Sequence, residues 1–248
     1  LAIICLALVL WQQRTPIKFR RRWPIYLFLG TVTMGLPFVL AAWAGTVIPS
    51  SLSAILNSTN PFWTVLIASF FLPEERLTIN RLVGLALGFT GVVVLMSDRL
   101  MVGVGNFQLG MLAMLFAAVC YAVSAVVVRL KTRGIPPTAL TIGELIFAWL
   151  LVTPGAFIFE VPVRLPAQVI TWAAVFFLGI MASGLSLVLY FSLLHEIGAT
   201  RTATASYLQP LIGVALGAVF LAEQLDWRML AGGVMILAGV WWVNKRKK

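Results

Sequence analysis

The sequence predicts an all-α protein that crosses a membrane many times and is built from two copies of one helical unit. Hydrophobic residues make up 61% of its 248 residues and charged residues 10%, and the mean hydropathy is +1.00. Soluble domains carry roughly 25% charged residues. Because backbone amides find no partners in hydrocarbon, the spanning segments of so apolar a chain are expected to be helices that satisfy their own hydrogen bonds.

An internal repeat is the second observation. Residues 28–74 are echoed by residues 177–223, at a constant offset of 149 positions. The matching pairs include Phe28 with Phe177, Gly35 with Gly184, Val39 with Val188, Pro61 with Pro210, Phe71 with Phe220 and Glu74 with Glu223. After a one-residue gap the offset becomes 148, which aligns Gly84 with Gly232 and Gly91 with Gly239. Two such copies in an apolar chain are typical of secondary transporters, whose pseudo-symmetric halves enclose a site near the membrane midplane.

Apolar runs of about 20 residues mark the predicted spans, since that length crosses the hydrocarbon core. Eight complete spans are predicted, at 24–44, 48–72, 82–96, 109–128, 139–159, 169–194, 202–222 and 229–243. A ninth run, 1–10, is too short to cross, and position 1 is not Met. We interpret this run as part of a span cut by truncation rather than as a signal peptide, because it lacks a basic region before it and a cleavage site after it.

The charges of the loops predict the orientation of the spans. The net charge is +10, and fifteen of the eighteen basic residues fall on one side when the loops alternate, including the cluster 18–22 and the terminal residues 245–248. By the positive-inside rule that side is cytoplasmic, so the sequence predicts a multi-pass protein of the inner (plasma) membrane with a cytoplasmic C-terminus. The basic excess is therefore a topology signal, and no nucleic-acid partner is expected.

The repeat and the orientation together predict the domain organisation. An odd number of helices in each copy turns the second copy upside down, so a complete protein would hold two inverted five-helix repeats. The first repeat covers 1–97 and lacks its first helix and part of its second. An extracytoplasmic linker covers 98–108, the second repeat covers 109–244, and a basic cytoplasmic tail covers 245–248.

Two stretches of the sequence resemble the EamA family of the drug/metabolite transporter superfamily. In each, at 53–78 and 203–224, small and polar residues and a mid-helix proline precede an apolar run that closes on a glutamate. Residues 111–129 are similar to the first helix of that family's second unit. The resemblance implies a ten-helix fold of two inverted units that transports small organic solutes, such as amino acids, metabolites or drugs. Export, by alternating access between the two halves, is favoured by the same resemblance.

Glu144 is the only acidic residue inside a predicted span. An isolated ionised carboxylate costs at least about 2.5 kcal/mol at the centre of a spanning helix, so such a residue usually faces a wet cavity or a partner. The functional interpretation is coupling to protons or pairing with a charged group of the substrate. The structural alternative is a hydrogen bond, or an ion pair with Lys131 or Arg133.

Pro61 and Pro210 occupy equivalent positions inside long spans, where proline removes a helical hydrogen bond and is expected to kink the helix. Polar side chains cluster beside both prolines. Those expected to line a substrate cavity are Asn57, Asn60, Tyr207 and Gln209, because amides and phenols can orient a ligand and can bond one another when dehydrated. The alternative is that these groups only form hydrogen bonds between helices.

Aromatic residues in the spans are candidates for the walls of the same substrate site. Those expected to contact substrate by stacking or by cation–π interaction are Trp43, Trp63, Tyr121 and Tyr190. Most aromatic residues in spans simply face lipid or pack, which is the alternative for each of them.

Two further features of the sequence have structural interpretations. Glu74 and Glu223 end the proline-bearing helices in the two copies, so they are expected to bond to a loop or to the start of the next helix. His195, the only histidine, is expected to be hydrated at the cytoplasmic interface, with a pH-sensing gate as the alternative.

The sequence offers no pattern typical of an enzyme, a metal site or a cofactor site. It has one histidine, two distant cysteines at 5 and 120, no nucleophile elbow and no phosphate-binding glycine loop. The predicted partners are a small-molecule substrate, the lipid bilayer and protons, and the chain is expected to be a monomer or a homodimer. The alternatives to a transporter are a non-transporting membrane subunit or receptor on the same fold and, less favoured, an intramembrane enzyme.

Overall fold

The computed structural model describes residues 2–12, 19–48, 53, 56–95, 97, 108–159, 168–208, 211–212 and 227–244, and every regular element in these ranges is helical. The α-helices are α1 (Ala2–Gln12), α2 (Phe19–Leu29), α3 (Leu36–Val47), α4 (Asn60–Phe71), α5 (Ile79–Leu95), α6 (Gln108–Lys131), α7 (Pro137–Phe159), α8 (Val169–Phe177), α9 (Ser186–Ile197), α10 (Ala199–Thr204) and α11 (Trp227–Asn244). Two 3₁₀ turns, at Pro73–Glu75 and Ala205–Tyr207, accompany them.

Four of the described helices are long and apolar enough to cross a membrane. They are Arg22–Val47, Gln108–Lys131, Pro137–Gly155 and Val169–Ile197. Three shorter apolar helices are Asn60–Phe71, Ile79–Val94 and Leu230–Val243. The protein is thus an all-α membrane protein, as the sequence predicts, while the number of eight complete spans stays a prediction.

Two of these long helices contain a π-helical segment, and both carry it at the same place in the repeat. The first segment is Gly30–Gly35, between α2 and α3, and the second is Leu178–Leu185, between α8 and α9. The offset of 149 residues relates the two. π-helical turns are rare and occur mostly inside α-helices, frequently at functional sites. The sequence predicts only unbroken spans at these places, so the segments are a feature that the apolar pattern does not reveal.

The chain folds into two compact units. The first unit is Leu1–Val39 with Val128–Glu196, and the second is Leu40–Val127 with Ile197–Lys248. Each unit therefore combines segments from both of the repeats that the sequence predicts. Inside each unit, segments from the two predicted repeats pack against each other.

In the first unit, α7 packs against α2 and the first π-helical segment at two glycines. A β-carbon added at Gly30 would lie 2.8 Å from both the carbonyl oxygen of Glu144 and the amide nitrogen of Ala148. A β-carbon added at Gly143 would overlap the ring of Tyr26. Glycine allows helices to approach this closely, and such small residues are typical of helix interfaces in membranes.

The two π-helical segments of the first unit make reciprocal contacts. Gly35, in the first segment, faces Leu151 on α7, with 3.9 Å between the added β-carbon and Cδ1. Gly184, in the second segment, faces Ala2 on α1, with 3.5 Å between the two β-carbons. The offset of 149 relates Gly35 to Gly184 and also relates Ala2 to Leu151. Each segment therefore packs on a helix from the other repeat, in the same way.

In the second unit, α5 and α11 run antiparallel and pack at four glycines. A β-carbon at Gly84 would lie 2.8 Å from the carbonyl oxygen of Gly239, and one at Gly91 would lie 2.8 Å from that of Gly232. The offset of 148 aligns Gly84 with Gly232 and Gly91 with Gly239. The contacts are therefore reciprocal here as well, because each glycine packs on the counterpart of the other.

An apolar core surrounds this glycine contact. Its buried members are Val65, Leu85, Val92, Tyr207, Ile236 and Val243. Tyr207 fits because Gly88 has no side chain: a β-carbon there would lie 2.7 Å from the Tyr207 ring. The phenol donates a hydrogen bond to the carbonyl oxygen of Leu85 at 3.3 Å, which satisfies its hydroxyl group inside the core.

Glu75 joins the loop after α4 to the start of α10. Its buried carboxylate accepts hydrogen bonds from the backbone N–H groups of Ala199 at 2.8 Å and Thr200 at 2.7 Å. Gly198, with φ of 90°, provides the turn that aims these two donors at Glu75. Glu75 forms this buried helix-start contact, which the sequence does not predict, and the bond that the sequence predicts for its exposed neighbour Glu74 stays a prediction.

Substitution of Gly84 by Ala is expected to lower the thermal unfolding midpoint, because the new methyl group must push α5 and α11 apart. Overpacking of this kind costs about 1–3 kcal/mol. Gly45→Ala is the matched control, since a β-carbon at Gly45 meets no atom within 4 Å. Thermal unfolding of the purified protein in detergent measures both, and equal effects of the two substitutions would contradict the glycine contact.

Substitution of Glu75 by Gln is expected to destabilise the protein by about 1–3 kcal/mol, since the amide has one acceptor oxygen and leaves one of the two N–H donors unpaired. Glu196→Gln, on an exposed residue, is the control and should change the unfolding free energy by less than about 0.5 kcal/mol. Thermal or denaturant unfolding in detergent distinguishes the two variants. Equal effects of the two substitutions would contradict the buried contact of Glu75.

Candidate functional sites

Glu144 lies on α7 in the interior of the first unit. Its side chain is 0% exposed, and neither carboxyl oxygen accepts a hydrogen bond of standard geometry from the described residues. The polar side chain that reaches the carboxyl group is that of Thr33, in the first π-helical segment. An ionised carboxylate without a counter-charge is strongly unfavourable in an apolar interior, so this group is suited to binding a proton or a cation.

The register of α7 explains why Glu144 points inward. The helix begins at Pro137, whose missing N–H is tolerated in the first turn. Leu140 and Ala148 lie four residues before and after Glu144, on the same face of the helix, and both are buried. Glu144 is therefore on the packed face of α7, beside the glycine contact with the first π-helical segment.

The ion pair that the sequence left open for Glu144 is not formed in this structure. Lys131 ends α6 and Arg133 follows in the next turn, and both are exposed. Neither reaches the buried carboxyl oxygens, which have no hydrogen-bond partner among the described residues. The structural explanation by a salt bridge to these two residues is therefore wrong.

A second polar site surrounds a helix break in the second unit. The helical chain is interrupted by a turn at Ser58 and Thr59, and α4 then begins at Asn60. Pro61 thus lies in the first turn of a new helix, a favourable position for proline, and not in the middle of a continuous helix. The kink that the sequence predicts at this proline takes the form of a break.

Three side-chain hydrogen bonds fix the residues around this break. The Thr59 hydroxyl donates to the carbonyl oxygen of Leu56 at 2.6 Å and accepts from Trp63 Nε1 at 3.2 Å. The Thr64 hydroxyl donates to Asn60 Oδ1 at 3.1 Å. The indole of Trp63 and the amide of Asn60 are therefore held in place by the same turn of helix.

Asn57, Asn60 and Trp63 are the predicted site residues that the fold brings into one short stretch. All three are partly exposed. Among the described residues, no hydrogen bond occupies the side chain of Asn57 or the amide nitrogen of Asn60. Both amides carry N–H donors that a ligand could accept from, and the hydrogen bond of Trp63 Nε1 to Thr59 fixes the orientation of its partly exposed ring.

The other predicted aromatic residues are spread over both units. Trp43 on α3 is 44% exposed. Tyr121 on α6 is partly buried, and Tyr190 on α9 is partly buried with its ring 5.7 Å from that of Phe191.

Tyr207 occupies a different environment from the one that the sequence favours. It is 0% exposed in the core of the second unit, and its hydroxyl bonds to backbone. This placement supports the alternative of a packing and hydrogen-bonding role between helices. Gln209 and Pro210, the remaining predicted residues of this copy, lie outside the described residues.

His195 and the residues beside it form hydrogen bonds to α6. The Thr132 hydroxyl donates to the carbonyl oxygen of Val128 at 2.7 Å, so it accepts from Nε2 of His195 at 2.8 Å. Arg129 donates to the carbonyl oxygens of Leu194 and His195. These bonds join the end of α6 to the end of α9, while hydration of the partly exposed imidazole stays a prediction.

Thr33 is the residue of the Glu144 site that the sequence does not predict. The repeat gives no signal for it, because the equivalent position in the second copy is Ala182. The described residues contain no group of three or more His, Cys, Asp or Glu side chains arranged to hold a metal ion. The chemistry of the two sites is therefore that of a lone carboxyl group and a cluster of neutral polar groups.

Comparison with known proteins agrees with this description. The chain aligns over 239 residues, at 23% identity, with the "Uncharacterized transporter YoaV" of Bacillus subtilis. The alignment covers 95% of this chain and 80% of that protein. A "Probable amino-acid metabolite efflux pump" of Salmonella typhimurium is 27% identical over 90% of this chain and 77% of its own length. A "Probable terminal-alkyne amino-acid exporter" of Streptantibioticus cattleyicolor is 23% identical over 90% and 73%.

The fold and the sequence family are also shared with known proteins. A solved crystal structure matches with a TM-score of 0.82 at 23% identity, covering 98% of this chain and 83% of the other. The model of the EamA-like transporter family matches residues 1–97 and 108–245. Because this match extends over nearly the whole sequence, the chain belongs to the EamA-like transporter family.

Proposed function

We propose that the protein is a secondary active transporter that exports small organic solutes by alternating access between two inverted halves. Membership of a transporter family makes it a transporter of small solutes in general. The observation that carries the finer proposal is the pair of reciprocal glycine contacts, which relate the two repeats by the same offset that relates their sequences. Inverted repeats of this kind are the structural basis of alternating access in other transporters.

The directions of the packed helices support the inversion. Equivalent helices α5 and α11 run antiparallel, which is the arrangement expected for equivalent helices from repeats of opposite orientation. In α7 and the helix Arg22–Val47, residue numbers rise together along the contact, from Gly143 at Tyr26 to Leu151 at Gly35. The loop charges predict the same directions, with both of these helices leaving the cytoplasm. The proposed location is the cell membrane, with the C-terminus in the cytoplasm.

The helix break at Ser58 and Thr59 supports a substrate with a carboxylate group. The start of a helix has a positive dipole end that favours anionic groups, and broken helices form substrate sites in other transporters. The amide nitrogen of Asn60 adds a donor beside it, and the Trp63 ring offers an apolar face. Two relatives are named as a probable amino-acid metabolite efflux pump and a probable terminal-alkyne amino-acid exporter, and amino acids carry a carboxylate group. An amino acid or a related metabolite is therefore the proposed substrate class.

A non-transporting receptor or subunit is the second candidate, since it would keep the fold. The polar helix break and the buried carboxyl group of Glu144 favour transport over this alternative, because a purely structural fold has no need of either. An intramembrane enzyme is disfavoured by the family to which the chain belongs.

Transport is tested with the protein reconstituted in proteoliposomes and a panel of radiolabelled neutral amino acids. Asn60→Ala is expected to reduce kcat/KM about tenfold, as for the loss of one hydrogen bond to a charged group. Ser69→Ala is the matched control on the same helix, since the Ser69 hydroxyl donates to the carbonyl oxygen of Leu66 and so serves its own backbone. The thermal unfolding midpoints of the two variants must be equal, so that a difference in transport reflects substrate binding and not stability.

Two outcomes would contradict the proposal. If the wild-type protein moves no member of the panel faster than empty liposomes do, the receptor alternative is favoured. If Asn60→Ala and Ser69→Ala transport equally well, the substrate contacts lie elsewhere than at the helix break.

A further inference from the structure

The carboxyl group of Glu144 is a buried acidic group that the proposed substrate contacts do not use. It belongs to the first unit, whereas the helix break belongs to the second. Neither of its oxygens has a hydrogen-bond partner of standard geometry among the described residues. Burial of a carboxyl group without hydrogen-bond partners costs free energy, and such a group inside a membrane protein indicates a site that binds a proton or a ligand.

The first π-helical segment contacts Glu144 through both its side chain and its backbone. The Thr33 hydroxyl is the polar group that reaches the carboxyl group. One turn earlier, Gly30 lies against the backbone of α7, where an added β-carbon would be 2.8 Å from the carbonyl oxygen of Glu144. A change of charge at Glu144 therefore acts directly on the contact between this segment and α7.

The other titratable groups near this contact do not satisfy the carboxyl group. On the helices packed against α7, the titratable side chains that the structure describes are Tyr26 and Arg22 on α2, Cys5 on α1, and Tyr190, His195 and Glu196 on α9. The ring of Tyr26 packs on Gly143, one residue before Glu144. None of these groups forms a hydrogen bond to either carboxyl oxygen.

The second π-helical segment lacks the equivalent polar group. The counterpart of Thr33 is Ala182, which is exposed, although Gly179 and Gly184 repeat the glycines of the first segment. The two segments therefore share their helical geometry but differ in chemistry. A hydroxyl group at this position, beside the carboxyl group of Glu144, is therefore found in the first segment and not in the second.

Resting on the proposed transport function, we propose that Glu144 binds and releases one proton, with the Thr33 hydroxyl as its hydrogen-bond partner, and that this proton controls the packing of Gly30–Gly35 on α7. Water supplies the proton to the carboxylate and accepts it again, with no other bond made or broken. The neutral carboxyl group carries no charge to be solvated, so a single hydroxyl neighbour is sufficient for it to stay buried. The ionised form needs further donors, and these become available when the contact opens to water.

Infrared difference spectroscopy of the protein in lipid bilayers tests the proton directly. At neutral pH the wild type should show the C=O band of a protonated carboxyl group. Glu144→Gln should lack this band, and the exposed-site control Glu196→Gln should retain it.

The hydrogen-bond partner is tested by Thr33→Val, which should shift this band to higher frequency, since a hydrogen bond lowers the C=O stretching frequency. Thr31→Val is the matched control in the same segment, because the Thr31 hydroxyl donates to the carbonyl oxygen of Leu27 at 2.8 Å. Absence of the band, or equal shifts for both threonine variants, would overturn the proposal.

Hydrogen exchange, measured by mass spectrometry, tests the coupling to the π-helical segment. Glu144→Gln mimics the protonated state, so at high pH peptides covering 30–35 should exchange faster in the wild type than in this variant. At low pH the two proteins should exchange equally. Comparison at the same pH removes the intrinsic dependence of exchange on pH. Identical exchange at high pH would overturn the coupling.

Transport driven by a pH gradient separates this inference from the proposed function. If one proton moves in each cycle, a gradient of one pH unit can raise accumulation up to about tenfold. Glu144→Gln should lose this stimulation and Glu196→Gln should keep it. If the wild type transports and Glu144→Gln keeps the stimulation, the inference fails and the transporter stands. If the wild type transports nothing while the infrared band is present, the transport function fails instead.

Discussion

Close approach of helical backbones at glycine is the constraint on which the rest of this structure depends. Apolar side chains gain little by leaving lipid for the surface of another helix, so packing and small residues have to hold the helices together. Gly84 and Gly91 supply this contact in the second unit, and Gly30 supplies it in the first. Tyr207 and Glu144 are buried beside these contacts and owe their environments to them.

Two buried glutamates illustrate how the surroundings decide the role of one functional group. Glu75 receives two backbone N–H donors at a helix start, so its charge is satisfied and its contribution is structural. Glu144 has the same carboxyl group with Thr33 as its polar neighbour, in an apolar interior. The first is suited to a permanent contact and the second to a group that changes its protonation.

The apolar composition and the offset of the repeat were enough to predict an all-α membrane protein and the equivalence of its glycines, and the family was predicted from the resemblance of the stretches 53–78 and 203–224. They could not predict the π-helical segments, since an apolar run has the same composition whether the helix within it is regular or locally widened. The contact of Glu75 was not predicted, because its two N–H donors are positioned by the turn at Gly198, which is distant in the sequence. Tyr207 was expected to line a cavity. Its burial in the core could not be predicted, because the space for its ring is provided by Gly88, which is distant in the sequence. Thr33 has no counterpart in the second copy, so the repeat could not indicate it.

The reciprocal glycine contacts have a consequence for how substitutions at this seam can compensate one another. A β-carbon at Gly84 would lie 2.8 Å from the carbonyl oxygen of Gly239, and one at Gly239 would lie 2.5 Å from the amide nitrogen of Gly88. Each side of the seam therefore meets backbone on the other side. Since glycine is already the smallest residue, no exchange on the opposite helix can make room for a side chain introduced here.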